Sequence, residues 1–264
     1  MAIDDAVKTR LWSETPAAED DFVARKCLAA GYDVYGDLLG QVGWIEYLYL
    51  LFMRNAPTPE QTKLLNDLGV AIACLGPRDP AIQAAMTAAA AGATAASSLI
   101  AAIAVGAGQF NGARDVHDLM LIWTESGNSV DAWKKNLFQK AGNQTIWPER
   151  SHPPGFDPTA GICSATLIQT LTHLCQGQHT AHLQWLHTHR VALQDTVGMP
   201  LAFSAVAAAA FLDLELDAQQ GEMLFLLLRL PGAATFAVEQ HQRGWKDYPF
   251  HKNKLILTDD PGPA

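Results

Sequence analysis

From Ala81 to Ala113 the chain runs 33 residues with 15 Ala, 4 Gly and no charged side chain. Alanine is the strongest helix former, so the run is expected to be helical. Small side chains let neighbouring backbones approach closely, and the run reads as a buried central element. It closes on Gln109-Phe110-Asn111-Gly112-Ala113-Arg114. Asn-Gly favours a sharp turn and positive φ. A packed helix that ends on such a turn can aim a polar side chain at a substrate. Ala-rich helices also pack together with no site nearby, and the segment alone leaves both readings open. The run exceeds the roughly 20 residues needed to cross a bilayer. Its strongly apolar residues are few (Ile82, Met86, Leu99, Ile100, Ile103 and Val105), and no aromatic belt flanks it. A buried helix of a soluble domain is expected instead.

Composition narrows the class. Of 264 residues 49% are hydrophobic and 17% charged, which excludes a disordered chain and leaves ample material for a core. The net charge is −9 with no Lys/Arg block, so no nucleic-acid partner is expected. The first residues carry acids where a signal peptide needs basic ones. Cys27, Cys74, Cys163 and Cys175 lack CxxC spacing and read as free thiols. A cytoplasmic protein with no membrane partner is the expectation.

Helical periodicity dominates the rest. Thr58-Pro59 and Asp79-Pro80 each place an N-cap before a proline at the first helical position. Leu64, Leu65, Leu68 and Ile72 follow at helical spacing, and Leu201–Leu214 reads as a second Ala-rich core helix. Gln219–His241 is the last helix, with Pro231-Gly232 as an interruption. No alternating strand pattern stands out, so the expected class is all-α. The stretch 114–196 is more polar and holds seven of the nine histidines. It is expected to form a small inserted domain, with 1–113 and 197–264 forming a large one and the ligand in a cleft between them. His173, His179, His182, His187 and His189 suggest a metal, but no carboxylate accompanies them. A solvated polar helix is the better expectation, with no metal.

The landmarks also have an order. Pro80 precedes the small-residue run, which leads to Asn111-Gly112-Ala113. A Pro/His loop leads to Asp157-Pro158, then come Leu212-Asp213-Leu214, Leu224-Phe225, Arg229, Gly232 and Glu239-Gln240. From about Ala30 to Gln240 this order resembles the citrate synthase superfamily, and by length its short citryl-CoA lyase members. The resemblance implies a helical, dimeric enzyme acting on a CoA thioester and a keto or hydroxy acid, with no permanently bound cofactor. It implies a His in a Leu/Val-His-Gly-Gly-Ala turn that hydrogen-bonds the thioester oxygen. A second His in Pro-Gly-Phe-Gly-His acts on the partner acid, and an Asp in Asn-x-Asp-Gly moves the α-proton. Making a carbanion beside a thioester requires a base and charge stabilisation at oxygen.

Laid on this pattern, the chain departs from it. The first His falls on Asn111, the second is kept as His152, and the Asp falls on Ser204. A substrate-contacting His falls on Gly76 and the Asp-Pro-Arg arginine on Thr159, whereas the helix arginine is kept as Arg229. The C-terminal Arg-Pro-Arg is replaced by the region His251–Lys254. Asn111, His152 and Ser204 are thus the candidate catalytic residues, and Arg229, Gly76 and Thr159 the candidate substrate-binding ones. Asn111 can still donate an N–H to an oxyanion. Serine is no base at neutral pH unless something takes its proton. Ordinary citrate synthesis is therefore not expected. C–C bond cleavage or formation on a CoA thioester leads. A non-catalytic acyl-CoA-binding homologue or regulatory subunit, and a hydrolase or dehydratase, stay open.

Overall fold

The computed structural model describes residues 7–137 and 152–248. It is mostly helical, with ten α-helices among the described residues. An antiparallel sheet, absent from the sequence expectation, precedes them. In it β1 (Trp12–Pro16) pairs β2 (Ala24–Ala29), which pairs β3 (Tyr32–Asp33). Its residues are largely exposed, so no alternation of apolar and polar side chains marks the strands. A π-helical turn, Val34–Leu38, follows, with the Asp33 carboxylate accepting from Tyr35 N and Gly36 N.

The chain divides into two compact units, 1–74 with 106–229, and 75–105 with 230–264. These boundaries differ from the expected insert at 114–196. Helices α5 (Ala113–Ser126), α6 (Val130–Leu137), α7 (Ala165–Leu174) and α8 (Ala181–Val197) all lie within the first unit, and α5, α7 and α8 pack on α9 (Phe203–Asp213). Within α9 every residue from Ala205 to Phe211 is fully buried. Its alanines give the surrounding helices a thin central rod to approach, and its ends are thereby fixed in the core. Trp123, Trp133 and Trp185 form an edge-on cluster beside it. Helices α1 (Trp44–Met53) and α2 (Pro59–Ile72) complete the unit, and Thr58 and Gln61 close a reciprocal capping box at the start of α2.

In the second unit the small-residue run is two helices, not one. Helix α3 (Pro80–Ala90) is capped by Asp79 through Ala81 N and Ile82 N. It stops where Gly92 takes φ +80°, and Thr94 starts α4 (Ala95–Gly106) by accepting from Ser97 N. Nor is the run buried throughout: Ile82, Ala85, Ala89 and Ala102 form a small core with Ala233 and Ala237, while Ile100, Ile103 and Val105 are exposed. Helix α10 (Ala218–Arg243) continues through Pro231, so the expected interruption is only a missing N–H donor. By length and composition alone α10 is apolar enough to cross a membrane, and 44% of its most apolar stretch is buried. The four cysteines are free, and burial pushes the Cys163 and Cys175 thiols up. Both stay protonated and poorly nucleophilic.

Candidate functional site

Four of the expected residues are joined by one path of contacts inside the first unit. It begins at the turn before α5. Asn111 adopts φ +49°, and Gly112 follows as the extended N-cap. A Cβ on Gly112 would stand 2.2 Å from the Gly108 carbonyl oxygen, so only glycine permits this close return of the chain. The Asn111 carbonyl accepts from Arg229 Nη1 at 3.0 Å, and the Arg229 guanidinium lies 4.8 Å from the Phe225 ring centre. The neighbouring Phe110 ring meets the His152 imidazole edge-on, with centres 6.0 Å apart. It is the Phe110 side chain that faces His152. A phenyl ring donates no hydrogen bond, so that side chain cannot hold an oxyanion.

The path continues through a residue the sequence reading missed. Asp115, in the first turn of α5, is fully buried. Its Oδ2 accepts from Gly155 N at 2.9 Å and from the Ser204 hydroxyl at 2.5 Å. Its Oδ1 is 3.9 Å from His152 Nε2, inside ion-pair range but beyond a hydrogen bond. Ser204 sits in the first turn of α9 and is 1% exposed. Both helices thus turn their positive N-terminal ends toward this carboxylate, which favours its charge. The loop that carries His152 is equally fixed. Residues 152–156 are buried, Phe156 bridges Leu201, Ala202 N donates to Gly155 O, and Gly155 takes φ +84°. A Cβ there would meet Leu119 Cδ2 at 2.5 Å. One signal could have exposed Asp115: it is among the first charged residues after the uncharged run, three residues past a helix-starting Gly.

The remaining expected residues serve local turns. Gly76 belongs to the second unit, where at φ +84° its carbonyl accepts from Asp79 N. Thr159 is exposed, and both its N–H and its hydroxyl are held by Asp157 Oδ1. The segments Pro148–Ser151 and His251–Lys254 lie outside the described residues. The histidine run is divided among separate partners. His173 bonds Asp67, His182 bonds the buried Asp213, and His189 stacks on Trp185. His179 precedes α8 at φ +58° and so does not share a helix face with His182. Among the described residues no three His, Cys, Asp or Glu side chains form a metal-sized group.

The architecture is that of the citrate synthase-like helical proteins, and in particular it is the fold of citryl-CoA lyase. The citryl-CoA lyase of Hydrogenobacter thermophilus superposes with a TM-score of 0.68 at 16% identity, over 98% of this chain and 96% of that one. The ATP citrate lyase of Methanothrix soehngenii, solved with citrate and coenzyme A, gives 0.70 at 16% identity over 99% of this chain. That of Methanosaeta concilii, a mutant in complex with (3S)-citryl-CoA, gives 0.71 at 15% over 99%. The chain spans 43% of each of these longer enzymes. No protein-family model and no curated protein sequence matches it.

Proposed function

We propose that the chain acts on a CoA thioester as a citryl-CoA lyase-like enzyme with an altered set of acid–base residues. The observation that carries this reading is the continuous path Arg229–Asn111–Phe110–His152–Asp115–Ser204, built within a fold whose solved examples hold citrate, coenzyme A and citryl-CoA. Arg229 supplies a guanidinium for a substrate carboxylate, and His152 a ring nitrogen for the reacting oxygen. The test is calorimetric titration with citryl-CoA and assay of acetyl-CoA release. Binding with cleavage is the expected result; no binding of any CoA thioester overturns the proposal. The serine at 204 favours a second reading, a non-catalytic acyl-CoA-binding homologue or regulatory subunit. Binding without turnover selects that one, and release of free CoA alone selects a hydrolase.

Arg229→Ala is expected to weaken citryl-CoA binding by about thirtyfold or more, because a carboxylate would lose its paired charge. The melting temperature is followed on the same variant. A large fall in melting temperature with unchanged affinity would leave Arg229 a purely structural residue.

The chain is also expected to form a dimer. Ile100, Ile103 and Val105 on α4 and Val238 on α10 are exposed by 64%, 39%, 43% and 56%, and apolar surface of this kind marks interfaces. Sedimentation at micromolar concentration should show a species about twice 28.5 kDa. A 28.5 kDa species alone would exclude it.

A further inference from the structure

The resemblance puts a proton acceptor at position 204, where this chain has a serine, yet a carboxylate stands directly behind that serine. Taking the thioester reading above as its basis, we propose that Asp115 works through the Ser204 hydroxyl as the proton relay of this site. Three observations carry it. The Ser204 hydroxyl donates its one hydrogen to Asp115 Oδ2 at 2.5 Å, so toward anything else it meets, Ser204 Oγ can only accept. Asp115 is fully buried in the first turn of α5 and faces the first turn of α9, and its bonds to Gly155 N and the Ser204 hydroxyl hold it in position. On the same path of contacts, Asn111 Oδ1 is buried with no hydrogen-bond partner among the described residues, as befits a site that awaits a donor. A substrate hydroxyl is the donor that Ser204 Oγ, left only as an acceptor, fits.

The proton balance closes within the substrate. The carbinol proton of a citryl-type thioester passes to Ser204 Oγ as the proton of Ser204 passes to Asp115 Oδ2. The carbon–carbon bonding pair stays with the thioester fragment as its enolate, and the carbinol carbon becomes a ketone. The proton then returns from Asp115 through Ser204 to the enolate carbon, which gives the acetyl thioester. No oxidant or co-reactant is consumed. Serine alone is too weak a base for the first transfer; the carboxylate behind it supplies the basicity. A hydroxyl proton is also far easier to move than a carbon-bound one, so the relay suits cleavage better than synthesis.

The experiment compares the wild type with Ser204→Ala, Asp115→Asn, Ser204→Asp, and the double variant Asp115→Asn/Ser204→Asp, using citryl-CoA as the probe. Ser204→Ala and Asp115→Asn should each lower kcat by about 10²- to 10⁴-fold. Citryl-CoA affinity should stay within about threefold, since the lost interaction acts on the transition state. The double variant puts a carboxylate at 204 itself and should recover at least about tenfold over Asp115→Asn. Against Ser204→Asp alone the double variant should lose less than about threefold, whereas a merely structural role for Asp115 would carry its full loss over. If Asp115→Asn does not fold, Ser204→Ala keeps the carboxylate and its Gly155 bond and carries the test. Cleavage within about threefold of wild type in Ser204→Ala or Asp115→Asn overturns the relay while leaving the thioester reading intact. A wild type that binds citryl-CoA without cleaving it also overturns the relay. One that binds no thioester overturns the function reading itself.

Discussion

Given acetyl-CoA and oxaloacetate, the protein is expected to make citrate at least about 10⁴-fold more slowly than an enzyme with the full citrate synthase residue set. Two losses combine. A positioned general base contributes roughly 10²- to 10⁴-fold, and on the resemblance to citrate synthases Ser204 stands where that base is expected. An oxyanion donor contributes about 10²- to 10³-fold, and on the same resemblance Asn111 stands where the pattern has a His. The Asp115 carboxylate stands one hydroxyl further back, which serves an acidic O–H better than an inert C–H. Coupled release of free CoA, followed with a thiol reagent, measures the rate. Citrate formation at an ordinary enzymatic rate would mean that position 204 or 111 has been misassigned.

The second large effect is on stability. Asp115→Ala is expected to cost about 3 to 5 kcal/mol, because it leaves the Gly155 N–H and the Ser204 hydroxyl buried without their acceptor. For a chain of this size that corresponds to a melting temperature lower by roughly 6 to 20 °C. The loss falls on the junction of the His152 loop with the starts of α5 and α9, so the loop should loosen first. Hydrogen exchange at the Gly155 amide, followed beside thermal unfolding, checks both claims. A fall below about 1 kcal/mol would show that the two donors find other partners.

Local features of this chain could be read directly, because their physics is local. Thr58-Pro59 with Gln61 and Asp79-Pro80 start α2 and α3 through caps that need only neighbouring residues. The Ala-rich core helix at 203–213 and the order of landmarks that resembles citryl-CoA lyase were legible for the same reason. Fifteen alanines in the run favour one continuous helix, yet Gly92 and Thr94 end one helix and start the next. The N-terminal sheet left no periodicity to detect, since most of its side chains are exposed.

Asp115 is the clearest case of what only tertiary structure decides. In the sequence it is one acid in a helix that also carries Asp118 and Glu125. Folding brings Gly155, 40 residues on, and Ser204, 89 residues on, to the same carboxylate oxygen, and buries all three. Whether a given acid is a solvated surface charge or the centre of a site depends on which distant segments arrive beside it. Burial then determines how strongly those contacts act, because a carboxylate sealed from water holds its few hydrogen-bond donors far more strongly than an exposed one.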